Sequence, residues 1–375
     1  MTQKRLLSLD IFRGITVAFM IIVNNPGDWS NLYWPLEHAK WHGCTPTDLV
    51  FPFFLFIVGV AIPLADANSN AIGSKYQKII IRGIKLFGLG LFLSLFPKFN
   101  LETVRIMGVL QRIALVYMVC SIFYLTTKSK SYNNKLRVIY LIISLLGYFL
   151  LISFVNVPGV GPANLEPETN LGAWIDRTLL TEPHLWKAVK TWDPEGLLGT
   201  LPATANCIFG IIIGQKLIEQ NKTPISKIKW IFFLGLLAMA IGLMWDNLGF
   251  PLNKSLWTSS YALFTSGLAI LFLGLLYYII DYKAIITRAT FFTTFGQNAI
   301  LAFFLSGLIP RILSMAKLPN ANGELESFNQ LIYNNWLLPH FNNPKLASLA
   351  AALLFLIILF IPFNVMRKNK IFIKI

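Results

Sequence analysis

Residues 48–66 read DLVFPFFLFIVGVAIPLAD, and this stretch decides the fold class of the chain. Seventeen uncharged residues, most of them large and apolar, separate Asp48 from Asp66. A helix of about 20 apolar residues is long enough to cross the hydrocarbon core of a bilayer. The stretch therefore predicts a membrane-spanning helix.

Nine further stretches share this length and character. Of the 375 residues, 55% are hydrophobic and 13% are charged, whereas an ordinary soluble domain has about 25% charged residues. Only helices and closed barrels satisfy every backbone group in lipid, and long uninterrupted apolar runs fit helices. We predict an all-α, polytopic integral membrane helix bundle of about ten transmembrane helices, forming a single transmembrane domain over 1–375. The predicted spans are 8–25, 48–66, 78–97, 106–126, 136–156, 195–216, 228–247, 256–280, 289–314 and 346–366.

The basic residues are concentrated in the connections on one side of the predicted membrane bundle. Ten crossings place both termini on one side, and the segments on that side are rich in lysine and arginine, which predicts that they are cytoplasmic. The longest connection on the other side, about 157–194, holds five acidic and three basic residues, so we expect it to be extracytoplasmic. This sorting accounts for most of the net charge of +15, so nucleic acid is not expected as a partner. The near-side basic residues are Lys4, Arg5, Lys75, Lys78, Lys128, Lys130, Lys135, Arg137, Lys216, Lys222, Lys227, Lys229, Lys283, Arg288, Arg367, Lys368, Lys370 and Lys374.

Proton-handling side chains follow the first predicted helix. His38 falls in the extracytoplasmic connection between the first two helices, close to Trp41. An imidazole with an ordinary pKa of about 6.5 suits a general base that takes a proton from an attacking amine or hydroxyl. The alternative is a loop histidine that only forms hydrogen bonds, and the spacing alone gives the two interpretations even weight.

Asp48 begins the second predicted helix after Thr45-Pro46-Thr47, so it can cap the helix or orient an imidazole, and the sequence favours capping. His42 lies four residues after His38, a spacing that would suit one metal ion on a helix. Gly43 and Pro46 indicate a loop instead, and no third ligand is evident, so no metal is expected. The three cysteines show no paired spacing.

Several polar residues fall within or at the ends of predicted spans. Asp10 and Arg13 stand three apart at the start of the first helix and are a possible ion pair. Charged groups inside a membrane are costly and usually functional, although hydrogen bonding between helices is the alternative at each position. Gly210 and Gly214 form a small-xxx-small pattern that favours close helix packing rather than function. The other intramembrane polar positions are Arg82, Lys85, Gln111, Arg112, Gln297 and Asn298.

Two further extracytoplasmic segments carry groups that a sugar pocket would use, namely carboxylates, an amide and an indole. The candidate residues are Asp193, Glu195, Asn253, Lys254 and Trp257. Ordinary helix starts look similar, and Asp193 followed by Pro194 is itself typical of a helix cap.

Five motifs in this order resemble those of the heparan-alpha-glucosaminide N-acetyltransferase family, and together they span nearly the whole chain. They are LDIFRG at 9–14, HAKWHG at 38–43 leading into TDLVFPFFLF at 47–56, VRIMGVLQR at 104–112, DPEGLLGT at 193–200 and NKSLW at 253–257.

The resemblance implies a transmembrane acyltransferase that moves an acetyl group from cytoplasmic acetyl-CoA to the amine of a glucosamine-type sugar on the extracytoplasmic side. By the matched motif, His38 would be the active-site histidine, with Asp48 orienting it. Transfer through an acetyl-histidine and direct transfer both remain open. Candidates for holding CoA are Arg13, Arg82, Gln111 and Arg112, and those for the sugar are Trp41, Asp193, Glu195, Asn253, Lys254 and Trp257. The family's tendency to pair suggests a homodimer.

Two departures from the family pattern adjust this expectation. The lysosomal members have a lumenal domain before the bundle, whereas here the first helix, which we expect to remain uncleaved, starts almost at once. His42 replaces the asparagine of the animal enzyme. We therefore expect a bacterial inner-membrane protein acting on a free or short amino sugar. The alternative function is an N-acetylglucosamine permease, although no internal repeat is visible and a histidine on the far side has no evident task in permeation.

Overall fold

The computed structural model describes residues 6–67, 73–286, 289–320 and 322–373. Lys4, Arg5, Arg288 and Lys374, which contribute to the predicted charge sorting, lie outside these ranges. The chain is helical nearly throughout, and the predicted all-α membrane bundle is confirmed.

Ten long segments correspond to the ten predicted spans. They are α1 (Leu7–Asn24), α2 (Val50–Ala67), α3 (Gly73–Leu95), α4 (Val109–Thr127), α5 (Asn133–Phe154), α7 (Thr200–Ile218), α8 (Pro224–Asn247), α9 (Ser259–Leu276, continued by a π-helical turn over Tyr277–Tyr282), the pair α10 (Thr290–Gln297) and α11 (Ala299–Met315), and α13 (Pro344–Lys368). The sequence missed the short helices α6 (Leu171–Leu180) and α12 (Phe328–Ile332) and the two-stranded hairpin of β1 (Lys317–Pro319) and β2 (Leu325–Ser327).

Eight helices of the described residues are long and apolar enough to cross a membrane, or nine when α10 and α11 count as one span. The tenth predicted span, α3, is a 23-residue helix whose first half is rich in charge, with Lys75, Lys78, Arg82 and Lys85. Because each charge in lipid is costly, composition alone does not identify α3 as a span.

The contacts at its two ends show that α3 nevertheless runs between the same two faces of the bundle. At its start, Lys75 Nζ lies 2.6 Å from Asp66 Oδ1, and Asp66 Oδ2 lies 2.6 Å from Lys128 Nζ. After its end, Arg105 pairs with Asp193, which precedes α7. We call the end of the bundle with Asp66 the basic face and the end with Arg105 the histidine face. These contacts therefore place the two ends of α3 at the same two faces as its neighbours, while the orientation of the termini stays a prediction.

The ninth predicted span is broken rather than continuous. Helices α10 and α11 meet at an angle of 84°, and Asn298 at the junction has a non-helical backbone. The Asn298 side chain donates to the carbonyl of Ile371 and accepts from the amide of Ile373. Side-chain bonds of this kind compete with the hydrogen bonds of the helix backbone, so the predicted polar positions Gln297 and Asn298 mark a break in the helix.

Small residues let α2 and α7 pack closely. A Cβ on Gly59 would lie 2.0 Å from the Cys207 carbonyl oxygen, and a Cβ on Gly210 would lie 2.1 Å from the Phe56 carbonyl oxygen. Gly210 is therefore required for helix contact, as the packing interpretation of the small-xxx-small pattern expects.

Gly210→Ala is expected to destabilise the fold by about 1–3 kcal/mol, because the added methyl group meets rigid backbone. The matched control is Gly147→Ala, since a Cβ at Gly147 in α5 has nothing within 4 Å. The measurement is the apparent melting temperature of each purified variant in detergent. Equal melting temperatures for the two variants would contradict the packing argument.

Candidate active site

The loop before α2 is organised by the buried Asp48 carboxylate. A 3-10 turn over Pro46–Leu49 carries Asp48, and its Oδ2 accepts from the amides of Thr45 and Ala39 at 3.0 and 3.1 Å. The Asp48 carbonyl also accepts from the Tyr261 hydroxyl at 2.5 Å. The predicted capping role is therefore present in the structure.

The same carboxylate also holds His38. His38 Nδ1 lies 2.6 Å from Asp48 Oδ1, and the His38 side chain is 49% exposed while that of Asp48 is 1% exposed. A carboxylate accepts only, so this contact assigns the imidazole proton to Nδ1 and leaves the lone pair on Nε2. Asp48 thus both caps the turn and orients the imidazole, and the two predicted roles are compatible.

Lys254, in the connection between α8 and α9, places its ammonium group beside His38. Its Nζ lies 3.1 Å from His38 Nδ1, 3.3 Å from His38 Nε2 and 3.7 Å from Asp48 Oδ1. Burial lowers the pKa of Lys254, and the carboxylates of Asp48 and Glu195 oppose that shift. With the Nδ1 proton directed at Asp48, Nε2 is the ring atom that can accept from Lys254 or from a substrate.

Asn253 and Trp257, also predicted for the sugar, have supporting positions. Asn253 Nδ2 lies 3.3 Å from His42 Nδ1, and Asn253 Oδ1 accepts from the Leu256 amide. The Trp257 ring is fully buried and its Nε1 donates to Asn206. In this conformation Trp257 cannot stack on a sugar that arrives from solvent, so the structure corrects that expectation.

An ion-pair cluster adjoins Lys254. Arg105 donates to both carboxylate oxygens of Asp193, at 2.6 and 2.8 Å, and also to Glu195. Burial disfavours the charged form of Glu195, but the charges of Arg105, Arg112 and Lys254 lower its pKa overall. Asp193 is an ion-pair partner rather than the cap of α7, which begins only at Thr200. Arg105 was present in a quoted motif, yet its partners lie 88 and 90 residues away, so spacing could not identify the cluster.

Arg112 and Gln111 are buried between this cluster and the bundle. Arg112 Nη2 donates to the Gly196 carbonyl at 2.8 Å, and its guanidinium lies 5.0 Å from the centre of the Trp257 ring. Its Nε and Nη1, and Gln111 Nε2, have no hydrogen-bond partner within the described residues. Both residues lie toward the histidine face, and neither lines the large cavity toward the basic face.

A cavity of about 520 Å³ lies on the basic side, between α1, α2, α3, α4 and the break between α10 and α11. Its walls include four cations, Arg13, Lys75, Lys78 and Arg82, together with Asp66. Arg82 lies 5.0 Å from the centre of the Tyr117 ring, and Arg13 Nη1 donates to Asp10 and to the Gly296 carbonyl, so the predicted pair of Asp10 and Arg13 is present. The inner walls are apolar, with Phe54, Ile57, Leu86 and Ile113. The cavity can accept an anionic head and an apolar arm.

Aromatic side chains lie between the cavity and the His38 loop. Phe54 lines the cavity, and Phe51, one turn earlier in α2, packs edge-on against Trp257 at 4.9 Å. Phe54 lies six positions after Asp48, a rise of about 9 Å at helical geometry. The Arg112 guanidinium also lies over the Trp257 ring, so Phe51, Trp257 and Arg112 form one layer of contacts.

Within the described residues, no group of three or more histidine, cysteine, aspartate or glutamate side chains could hold a metal ion. The chemistry that these residues offer is that of an imidazole base with a neighbouring carboxylate and ammonium group.

Comparisons with known proteins agree with the sequence motifs. Residues 5–171 match the family model described as heparan-alpha-glucosaminide N-acetyltransferase, catalytic. The human heparan-alpha-glucosaminide N-acetyltransferase is 33% identical over 350 residues, covering 80% of this chain and 52% of the human protein. The mouse protein of the same name is 31% identical over 353 residues, covering 80% of this chain and 53% of its own length. The predicted resemblance is confirmed, and the chain spans about half the length of the curated relatives it matches.

Asp176→Asn is expected to change how stability depends on pH. Burial raises the pKa of Asp176 to about 7 from an ordinary 3.8, and its Oδ1 accepts from the Leu197 amide, a bond that asparagine can keep. When the pKa of a carboxyl group is raised in the folded state, the folded protein becomes less stable as the pH rises from about 4 to about 7. Above about pH 7 this destabilisation stays constant. The stability of Asp176→Asn relative to the native chain should therefore increase over this interval by at most about 1.4 kcal/mol per pH unit.

The readout is the apparent melting temperature of both proteins from pH 4 to 9. Glu168→Gln serves as the control, because Glu168 is exposed in the same connection. A constant difference between Asp176→Asn and the native chain across this range would contradict the burial argument.

Proposed function

The chain is a relative of the heparan-alpha-glucosaminide N-acetyltransferases, and we propose that it transfers an acetyl group from acetyl-CoA to the amine of a glucosamine-type sugar. The observation that carries the proposal is the contact of His38 Nδ1 with the buried Asp48 carboxylate, which leaves the lone pair on Nε2 in a side chain that is 49% exposed, with Lys254 Nζ 3.3 Å from that atom. The multi-pass helices place this base in a membrane protein, and we propose the bacterial inner membrane as its location.

In the proposed reaction, the sugar amine attacks the thioester carbonyl carbon and the carbon–sulfur bond breaks. His38 Nε2 takes the proton that the amine loses as the carbon–nitrogen bond forms, and the CoA sulfur leaves as a thiolate that is then protonated. The imidazolium formed on the way is stabilised by the Asp48 carboxylate at 2.6 Å. Lys254 lies close enough to donate to the carbonyl oxygen as negative charge develops there. An acetyl-histidine route would use the same Nε2 atom.

The cavity of about 520 Å³ at the basic face, which we call the basic cavity, is the proposed donor site. Acetyl-CoA carries several phosphate groups and an apolar pantetheine arm, which suit the four cations and the apolar inner walls. By the positive-inside rule, the basic face would be cytoplasmic, where acetyl-CoA is made, and the histidine face would receive the sugar. The acetyl end would meet His38 only when the layer of Phe51, Trp257 and Arg112 parts. A homodimer stays a prediction.

His38→Ala is expected to lower the transfer rate by about 10²–10⁴-fold, the usual contribution of a general base. The assay incubates the purified full chain with labelled acetyl-CoA and glucosamine and measures label on the sugar amine. His340→Ala is the matched control, because His340 is an exposed histidine in another connection. A His38→Ala rate equal to that of the control would contradict the proposal. Sugar uptake into vesicles without acetyl-CoA would favour the permease instead.

Arg82→Ala should raise the KM for acetyl-CoA about tenfold and leave the KM for the sugar unchanged, because one phosphate-binding guanidinium is worth about 1.4 kcal/mol. Arg311→Ala provides a control in an exposed arginine of α11 that does not line the cavity. The two KM values come from steady-state rates at varied donor and acceptor concentrations. An equal rise in both would argue against a separate donor site in the basic cavity.

A further inference from the structure

Three tryptophan rings form a continuous run on the histidine face. The ring centres of Trp41 and Trp192 are 5.1 Å apart at an interplanar angle of 74°, and those of Trp192 and Trp186 are 5.4 Å apart at 63°. All three side chains are partly exposed rather than buried in the core. The run therefore presents indole surface to the outside over two successive ring contacts. We call it the tryptophan run.

The tryptophan run is held by polar contacts at Trp41, one of its ends, and beside Trp192, its middle ring. Trp41 Nε1 donates to the Leu165 carbonyl at 2.9 Å. Trp192 precedes Asp193, whose carboxylate is fixed by two bonds from Arg105, and Arg177 donates to the carbonyl of Thr191 at 2.6 Å. Rings fixed in this way lose little conformational entropy when a ligand binds on them.

The tryptophan run starts in the loop that carries the proposed base. Trp41 belongs to the same loop as His38, and its ring centre lies 6.2 Å from that of His42. The polar side chains that line a small cavity beside Trp41 and Trp192 include those of Asp176, Asp193 and Ser255. Indole faces next to hydrogen-bonding groups are what a pyranose ring requires, because it has apolar C–H faces and polar hydroxyl edges.

The charge of the histidine face restricts which sugars would bind. The connections on this face, 25–45, 96–108, 155–199, 248–258 and 316–343, contain eleven aspartate and glutamate residues and eight lysine and arginine residues. The rest of the chain carries the large basic excess. A heavily sulfated chain would therefore meet repulsion here, whereas an uncharged or amino-bearing sugar would not.

We propose that the tryptophan run is a second sugar-binding site, which holds the units next to the terminal glucosamine of an oligosaccharide acceptor that lacks sulfate. The terminal amine would lie at His38, the next units would lie along Trp192 and Trp186, and the ring of Trp41 would stand between the two. This inference rests on the proposed function only in assigning the terminal unit to His38.

The test compares a linear trimer of β-linked glucosamine with the monosaccharide, using the full chain in detergent. Native protein should show a kcat/KM for the trimer at least tenfold above that for the monosaccharide. Trp192→Ala and Trp186→Ala should each lower this ratio severalfold, Trp192→Phe should keep most of it, and Trp336→Ala should leave it unchanged. Trp336 is the control because it is a 76% exposed tryptophan outside the tryptophan run.

Binding is measured separately by quenching of tryptophan fluorescence with the trimer in the absence of acetyl-CoA. Quenching that weakens in Trp192→Ala and Trp186→Ala but not in Trp336→Ala would support the second site even if no acetyl transfer occurred, in which case only the proposed function would fail. Transfer with equal kcat/KM for trimer and monosaccharide, and no loss of ratio in either variant, would overturn the second site and leave the proposed function standing. Competition by a sulfated glucosamine oligosaccharide as strong as that by the trimer would overturn the charge argument.

Discussion

The Asp48 carboxylate joins the start of the second helix to the histidine loop, and the proposed chemistry depends on it. One oxygen accepts from the Thr45 and Ala39 amides and so fixes the path of the loop, while the other contacts His38 Nδ1. A buried carboxylate needs several such partners because an unsatisfied charge in a membrane bundle is costly. The interaction that makes the turn stable is therefore also the one that sets the tautomer of the imidazole.

The cost of burying charge also shapes the two faces. Three cations of α3 line a cavity on the basic face, together with residues near the ends of α2 and α4. The ion-pair cluster of Arg105, Asp193 and Glu195 lies on the histidine face. Between them lies an aromatic layer in which Arg112 stacks on Trp257 and Phe51 packs edge-on against the same ring. The molecule thus has a cavity lined by cations toward one face and a half-exposed imidazole at the other, about two helical turns apart.

The apolar runs predicted nearly all of the long helices, because a helix that crosses the bilayer needs about 20 consecutive apolar residues. The sequence showed only two polar residues, Gln297 and Asn298, where the helix breaks. It could not show the break, because the cause is a pair of hydrogen bonds from Asn298 to residues 371 and 373. The sequence could suggest His38 and Asp48 as partners because they share one loop. It could not show that Lys254, 216 residues away, lies beside His38, or that Trp257 is buried, because both depend on how distant connections meet.

Sealed vesicles that contain the purified chain show whether donor and acceptor bind at opposite faces of the membrane. Acetyl-CoA is supplied outside, and an impermeant amino sugar is either trapped inside or added outside. We expect acetylated sugar only when donor and acceptor are on opposite sides of the membrane. Product formed when both are on the same side, with none when they are separated, would contradict it.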